Sequence, residues 1–164
     1  MSRVTKLAAL TAVAVLTLLV ALCLAGCGQG TSKATDVGNM QADIDSLFQS
    51  YVDGLNNSDS LAVRAVFAPG GDITVAGRER FFRGSEGVER NTEGLLAAGE
   101  NKFDIDSLDV VPIEKTHALA MVIYTVEPSD QDVPAFHATG TYLLEKIATK
   151  WRIIHAHVCP AREL

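Results

Sequence analysis

Basic residues are in short supply. The chain of 164 residues carries 14 Lys and Arg against 20 Asp and Glu, a formal net charge of −6. Two of those bases, Arg3 and Lys6, fall in the first 26 residues, which hold no acid, so the remainder has 12 bases against 20 acids, a net −8. Such a surface repels phosphate backbones, and nucleic acid is excluded as an expected partner. Cysteine is scarce, with three in all, and aromatic residues make up only 6%, one tryptophan and three tyrosines among them. Proline is sparse and no internal repeat is visible, which excludes collagen-like and low-complexity classes. What is present, 48% hydrophobic and 21% charged residues, suits one soluble globular domain. About 120 residues can form one core without metal or disulfide staples.

The only long apolar run lies at the front. Residues 1–6 are polar and basic, and Leu7 to Gly26 carries no charge and is rich in Leu, Ala and Val. A run of that length can span a bilayer or serve as a secretory signal. Leu24-Ala25-Gly26-Cys27 then resembles the lipobox of bacterial lipoproteins. That resemblance implies cleavage before Cys27, a diacylglycerol on its thiol and often a further acyl chain on the new amino end. Several acyl chains give stable anchoring where one is marginal. Gly28 stands where many inner-membrane lipoproteins carry Asp, which implies the outer membrane in a cell that has one. Cys23 would leave with the signal, Cys27 would take lipid and only Cys159 would remain, so no internal disulfide is expected. Gly28 to Asn39 is small and polar and reads as a flexible tether. The expected organisation is a signal peptide over 1–26, lipidated Cys and tether over 27–39, and a folded domain over 40–160. The expected location is the cell envelope, lipid-anchored outside the cytoplasm.

Within the domain, Met40, Ile44, Leu47, Phe48, Tyr51, Val52 and Leu55 recur at helical spacing, with Asn39 as the expected cap. Asn56-Asn57-Ser58-Asp59 breaks that helix and can cap a second, which runs to about Phe67 and stops at Pro69-Gly70-Gly71. Asp72–Ala76 and Phe81-Phe82 read as short strands, and Ser85 as the cap of a third helix reaching about Ala98. Four long strands follow: Phe103–Ile113 with a bulge near Ser107, His117–Glu127, Val133–Ile147, and Lys150–Cys159 after a tight turn at Ala148-Thr149. Helices first and antiparallel strands after predict an α+β fold, a cone-like curved antiparallel sheet packed on three N-terminal helices.

That order resembles the SnoaL-like branch of the nuclear transport factor 2-like superfamily. Three stretches carry the likeness over residues 40–160: Tyr51-Val52-Asp53-Gly54-Leu55-Asn56-Asn57-Ser58-Asp59, Val66-Phe67-Ala68-Pro69-Gly70-Gly71-Asp72, and Trp151-Arg152-Ile153-Ile154-His155-Ala156-His157-Val158-Cys159. The fold hosts isomerases, dehydratases, cyclases, assembly domains and plain binders, so the resemblance implies architecture and not one reaction. By the ketosteroid isomerase pattern, Tyr51 falls where a first-helix phenol belongs. The base position falls at about Ala76 and the late acid near Thr139 or Gly140, where no carboxylate stands, so that chemistry is not carried over. SnoaL-type cyclases use an acid and a histidine, which leaves the histidine pair open to such a role.

On strict alternation, Trp151, Ile153, His155, His157 and Cys159 share one face of the last strand and Arg152, Ile154, Ala156 and Val158 the other. If the histidine face looks into the hollow of the cone, it offers an indole wall and two imidazoles suited to proton transfer. Tyr51 can add a phenol and Asp72 a carboxylate. His155 and His157, about 6.6–6.8 Å apart along the strand, can reach one ion, but His155 and Cys159, about 13 Å apart, cannot close around it. His137 is a third ligand by residue type alone, and neither a metal nor a cofactor is expected. Cys159 near two imidazoles is an activated thiol or a buried inert one.

The expected function is that of a membrane-anchored SnoaL-like domain that binds a small, partly apolar ligand or a protein partner without catalysis of its own. The pocket residues expected are His155, His157, Tyr51, Trp151 and Asp72, with Cys27 as the lipidation site. Two alternatives stand beside it. One is an enzyme of isomerase, cyclase or dehydratase type with His155 or His157 as general base. The other is an assembly domain that forms a homodimer through the exposed face of its sheet.

Overall fold

The first helix, α1 (Thr31–Asn56), owes its position to one apolar stripe. Met40, Ile44, Leu47, Phe48, Tyr51, Val52 and Leu55 are all buried, as their three- and four-residue spacing predicts. The computed structural model describes residues 31–76, 80–97, 99 and 101–160. The expected signal peptide (1–26) and Cys27 lie outside the described residues. Helix α1 starts at Thr31, inside the expected tether, so Asn39 sits within the helix and caps nothing. Residues 31–39 contain no proline and a single glycine, Gly38, and a helix nucleated by the apolar stripe extends backwards through them at small cost. The chain divides between Asn39 and Met40 into two units, and the second, Met40–Leu164, holds the sheet.

Asp59 caps α2 (Ser60–Ala65), its carboxylate accepting from the amides of Leu61 and Ala62 at 3.0 Å each. This helix can lie against α1 because Gly54 has no side chain: a Cβ there would stand 3.0 Å from the Val63 amide nitrogen. Strands β1 (Thr74–Ala76) and β2 (Phe81–Arg83) follow. Helix α3 (Gly84–Ala97) begins one residue before Ser85. The Ser85 hydroxyl, expected to cap the helix, instead donates to the Gly70 carbonyl at 3.0 Å and ties the Pro69-Gly70-Gly71 loop to the helix start.

Strands β3 (Lys102–Pro112), β4 (His117–Glu127), β5 (Phe136–Ile147) and β6 (Lys150–Pro160) form the long meander. The sheet order is β2-β1-β6-β5-β4-β3. All pairings are antiparallel except β1 with β6, which is parallel, so the sheet is mixed where a wholly antiparallel one was expected. β1 and β2, and each neighbouring pair from β3 to β6, are consecutive in the chain and joined by short connections, which force antiparallel pairing. β1 reaches β6 across a long stretch of chain and is free of that constraint.

Two bulges bend the sheet. The β3–β4 register shifts between Ile105 and Ser107, near the position that the switch of apolar face predicts. The second lies in β6: Leu144 pairs with Ile153 and Leu143 with His155, which leaves Ile154 as the extra residue. The concave face packs Ala118, Ala120, Val122, Tyr124, Val126, Tyr142, Leu144 and Ile153 in one core with the stripe of α1. The Asn56 side chain, at the end of α1, exchanges two hydrogen bonds with the Phe103 backbone, at 2.8 and 2.9 Å, and fixes β3 against the helix.

Candidate functional site

The curvature of the sheet leaves a cavity of about 260 Å³ between the strands, α1 and α3. Its walls are apolar: Leu55, Phe67, Val75, Leu95, Phe103, Val126, Phe136 and Val158 among them. Small residues on the strands, Ala138 and Ala156, make the room. All three tyrosines of the chain, Tyr51, Tyr124 and Tyr142, reach this one space, with Asn91 and Asn101 as the other polar side chains along it. Tyr124 and Tyr142 share a hydrogen bond of 2.9 Å between their hydroxyls. The Tyr142 ring folds over Gly140, where a Cβ would come 2.5 Å from its Cε2 and 2.8 Å from its hydroxyl oxygen. Glycine at 140 is therefore what lets the ring lie there.

Burial sets the protonation of the three phenols. It pushes Tyr51 from 10.0 up to about 12. Tyr142 is held well above the usual phenol value, first by burial and then by the repulsion a second phenolate would meet from Tyr124 and Tyr51. Tyr124 is raised by burial and by Tyr51, and its bond to Tyr142 opposes the rise only in part. The cavity thus holds neutral phenols and resists negative charge. A phenol whose folded pKa lies above its unfolded one adds stability at every pH below 10, and that stability is lost as pH climbs through the folded value. For Tyr51 the loss is about 1.4 kcal/mol per pH unit above pH 10. The urea midpoint should therefore hold steady up to pH 10 and then fall, with phenolate absorbance appearing together with unfolding. Phenolate absorbance at pH 10 in a still-folded protein would contradict the burial.

The last strand does not present the expected face to this cavity. Trp151 and Ile153 point inward, buried to 4% and 0% exposure. The extra residue at Ile154 then shifts the alternation by one, so Ala156 and Val158 line the cavity while His155, His157 and Cys159 turn to the convex face. His155 Nδ1 meets the Thr74 hydroxyl at 2.6 Å, at the edge of an open groove of about 490 Å³. His157 is exposed, and its Nε2 lies 3.2 Å from Cys159 Sγ. Both imidazoles are therefore outside the hollow where they were expected.

Of the other expected pocket residues, Tyr51 alone lies in the cavity. Trp151 is inward but lies toward the other end of the core, beside Asp43, Ser46, Leu47 and Ser50 of α1, with the Lys146 ammonium 5.7 Å from its ring centroid. It is no part of the wall of the tyrosine cavity, because β6 enters the sheet at the other end and reaches that cavity only past the bulge. Asp72 is exposed and lines the outer groove with Thr74 and His155. His137 is on the convex side, its Nδ1 3.1 Å from Asp106, the carboxylate carried outward by the β3 bulge. Among the described residues no three His, Cys, Asp or Glu side chains come together in a metal-binding group. Sequence reasoning missed Tyr124, Tyr142, Asn91 and Asn101. The available signal was Gly140 two residues before Tyr142, a gap and a ring on the same strand face.

A family model described as a SnoaL-like domain matches residues 44–163. No curated protein matches the chain in sequence. Solved structures with the same fold include a nuclear transport factor 2-like protein of unknown function from Pseudomonas putida. It is 18% identical, with a TM-score of 0.67, covering 77% of this chain and 90% of that one. A ketosteroid isomerase-like protein from Erwinia carotovora is 19% identical, with a TM-score of 0.61, covering 74% and 96%. A protein with a cystatin-like fold from Caulobacter vibrioides is 21% identical, with a TM-score of 0.65, covering 74% and 89%. The mixed curved sheet, the helices on its concave face and the family match lead to one assignment: this chain belongs to the SnoaL-like domain family, with the nuclear transport factor 2-like fold.

Proposed function

We propose that this SnoaL-like domain binds a small, partly apolar ligand in its concave cavity without transforming it, and that a lipid on Cys27 holds it at the outer side of a membrane. One observation carries the ligand reading. The partly open space of about 260 Å³ is walled by apolar side chains and three neutral phenols, and among the described residues that line it there is no carboxylate, imidazole, amine or thiol. Such spaces are the default sites for small molecules. Proton transfer near neutral pH needs a group that titrates there, and phenols that burial holds above their ordinary value do not. Kinship in fold with an isomerase-like protein does not alter this reading, since Ala76 lines the cavity with no group to take a proton. The enzyme alternative with His155 or His157 as general base is not retained, because both imidazoles face away from the cavity.

Mass spectrometry of small molecules that co-purify with the full chain tests the ligand reading. A molecule retained by the wild type and absent from an Ala156→Phe variant supports it. No retained molecule, or the same molecule on both proteins, overturns it. The anchor is tested separately: Cys27→Ser should release the protein from membranes or stall its processing, and unchanged attachment and processing would remove the lipid. Among the described residues no helix is long and apolar enough to cross a membrane.

A homodimer through the convex face of the sheet is a second, compatible reading. Val111, Met121 and Ile123 are 43%, 41% and 42% exposed there, close together across β3 and β4. Light scattering on the purified domain reads it directly: a dimer mass that Met121→Lys/Ile123→Lys reduces to a monomer supports it, and a monomeric wild type ends it.

A further inference from the structure

The two ends of the sheet differ in charge and in apolar exposure. The β3–β4 and β5–β6 turns lie together at one end, where the Lys146 amide donates to the Thr116 carbonyl at 2.8 Å. Each turn is entered through an exposed isoleucine, Ile113 at 57% and Ile147 at 36%, and each has an exposed lysine beside it, Lys115 and Lys150. The bases at this end, Lys115, Lys146, Lys150 and Arg152, are matched by Glu114 and Glu145 on the strands and turns and by Asp43 and Asp45 on α1. Neither sign is in excess. The opposite ends of β3, β4 and β5 and the loop between the last two carry Asp104, Asp106, Glu127, Asp130 and Asp132 against Lys102. The cavity opens on that acidic side. Phe136, the first residue of β5, is the one exposed residue among the described residues that line it.

The chain enters the sheet-bearing unit at the neutral end. That unit begins at Met40, and Asp43, one turn further on, lies 3.6 Å from the Lys146 ammonium. The segment that leads back to Cys27 therefore joins beside the β5–β6 turn. A bilayer with anionic lipid repels the acidic end of the sheet and not the neutral one. Isoleucines flanked by lysines suit the headgroup layer: the branched side chain leaves water, and the long lysine stem lets its ammonium reach phosphate. Chain connection, charge and apolar exposure agree on one surface.

We propose that the end formed by the β3–β4 and β5–β6 turns docks on an anionic bilayer surface, with Ile113 and Ile147 in the headgroup layer, and that the cavity opens away from the membrane. A ligand then reaches the cavity from water and not from the bilayer. This rests on the reading of Cys27 as the lipid anchor.

The single tryptophan of the chain reports on it, because Trp151 pairs with Lys146 at the docking end. The lipid-modified protein is placed in vesicles of phosphatidylcholine and phosphatidylglycerol that carry a dansyl-labelled lipid, and energy transfer from tryptophan to dansyl is read. Transfer from Trp151 should be strong. Trp151→Phe with Phe136→Trp moves the donor about 33 Å along β5 to the acidic end and should lower the transfer at least about fivefold. Ile147→Glu with Lys150→Glu changes two exposed residues, keeps Trp151 and the anchor, and should lower the transfer about twofold or more as the domain leaves the surface. Equal transfer from the two tryptophan positions, or transfer from Trp151 unchanged by the two glutamates, would overturn the docking, and flotation of the protein with the vesicles would leave the anchor standing. Stronger transfer from position 136 would put the cavity end on the membrane and overturn the orientation. A protein that does not float with the vesicles would overturn the anchor and the docking together.

Discussion

Ile153→Ala should lower the stability of the domain by about 3–5 kcal/mol, close to the upper end for the loss of a large aliphatic side chain from a core. Ile153 is fully buried and pairs with Leu144, itself fully buried. Its backbone joins the sheet to the exit of α2. The Ile153 amide donates to the Val66 carbonyl at 2.9 Å, and the Ala68 amide donates to the Ile153 carbonyl at 2.9 Å. Immediately after it comes the bulge, so the chain around Ile153 is held by partners on both sides and has little freedom to collapse into the gap. Urea unfolding reads the change as a shift of midpoint at unchanged slope. A loss below about 1 kcal/mol would mean that the site relaxes freely and that this junction is not the rigid centre of the fold.

The second large effect concerns binding. Ala156 is 2% exposed, pairs with Tyr142 and lines the cavity. Ala156→Phe should fill the space and weaken a small, partly apolar probe, acetylnaphthalene, by about 10- to 100-fold, the equivalent of the apolar burial that the ligand loses. Overpacking should cost about 1–3 kcal/mol of stability. His157→Phe places the same ring one residue further along, on the convex face, and should leave affinity within about twofold. Weaker binding with His157→Phe and unchanged binding with Ala156→Phe would mean that β6 lacks the bulge and that its faces are exchanged.

Much of the fold was legible because its signals are local. The stripe of α1 repeats at a period that only a helix satisfies. The β3 bulge was legible because its apolar residues change parity, from Phe103 and Ile105 to Leu108 and Val110. The β6 bulge was not legible, for the opposite reason. Trp151 and Ile153 on one parity are matched by Ile154, Ala156 and Val158 on the other, so both faces look apolar and no break in alternation marks where they exchange. That one extra residue moved His155 and His157 out of the cavity. Long-range features were hidden as well. The parallel β1–β6 pairing depends on where a chain returns after a long connection, and the meeting of three tyrosines depends on one helix and two strands packing together. Tyr51 was recognised through its place on the helix. Tyr124 and Tyr142 read alone are ordinary strand aromatics.

The account turns on which side of β6 meets a ligand, and NMR of the domain during titration with acetylnaphthalene answers that directly. The methyl signals of Ala138, Ala156 and Val158 and the ring signals of Tyr51, Tyr124 and Tyr142 should move together, while the ring signals of His155 and His157 stay in place. Movement of the two imidazoles with silent tyrosines and methyls would contradict the account and put the site on the convex face.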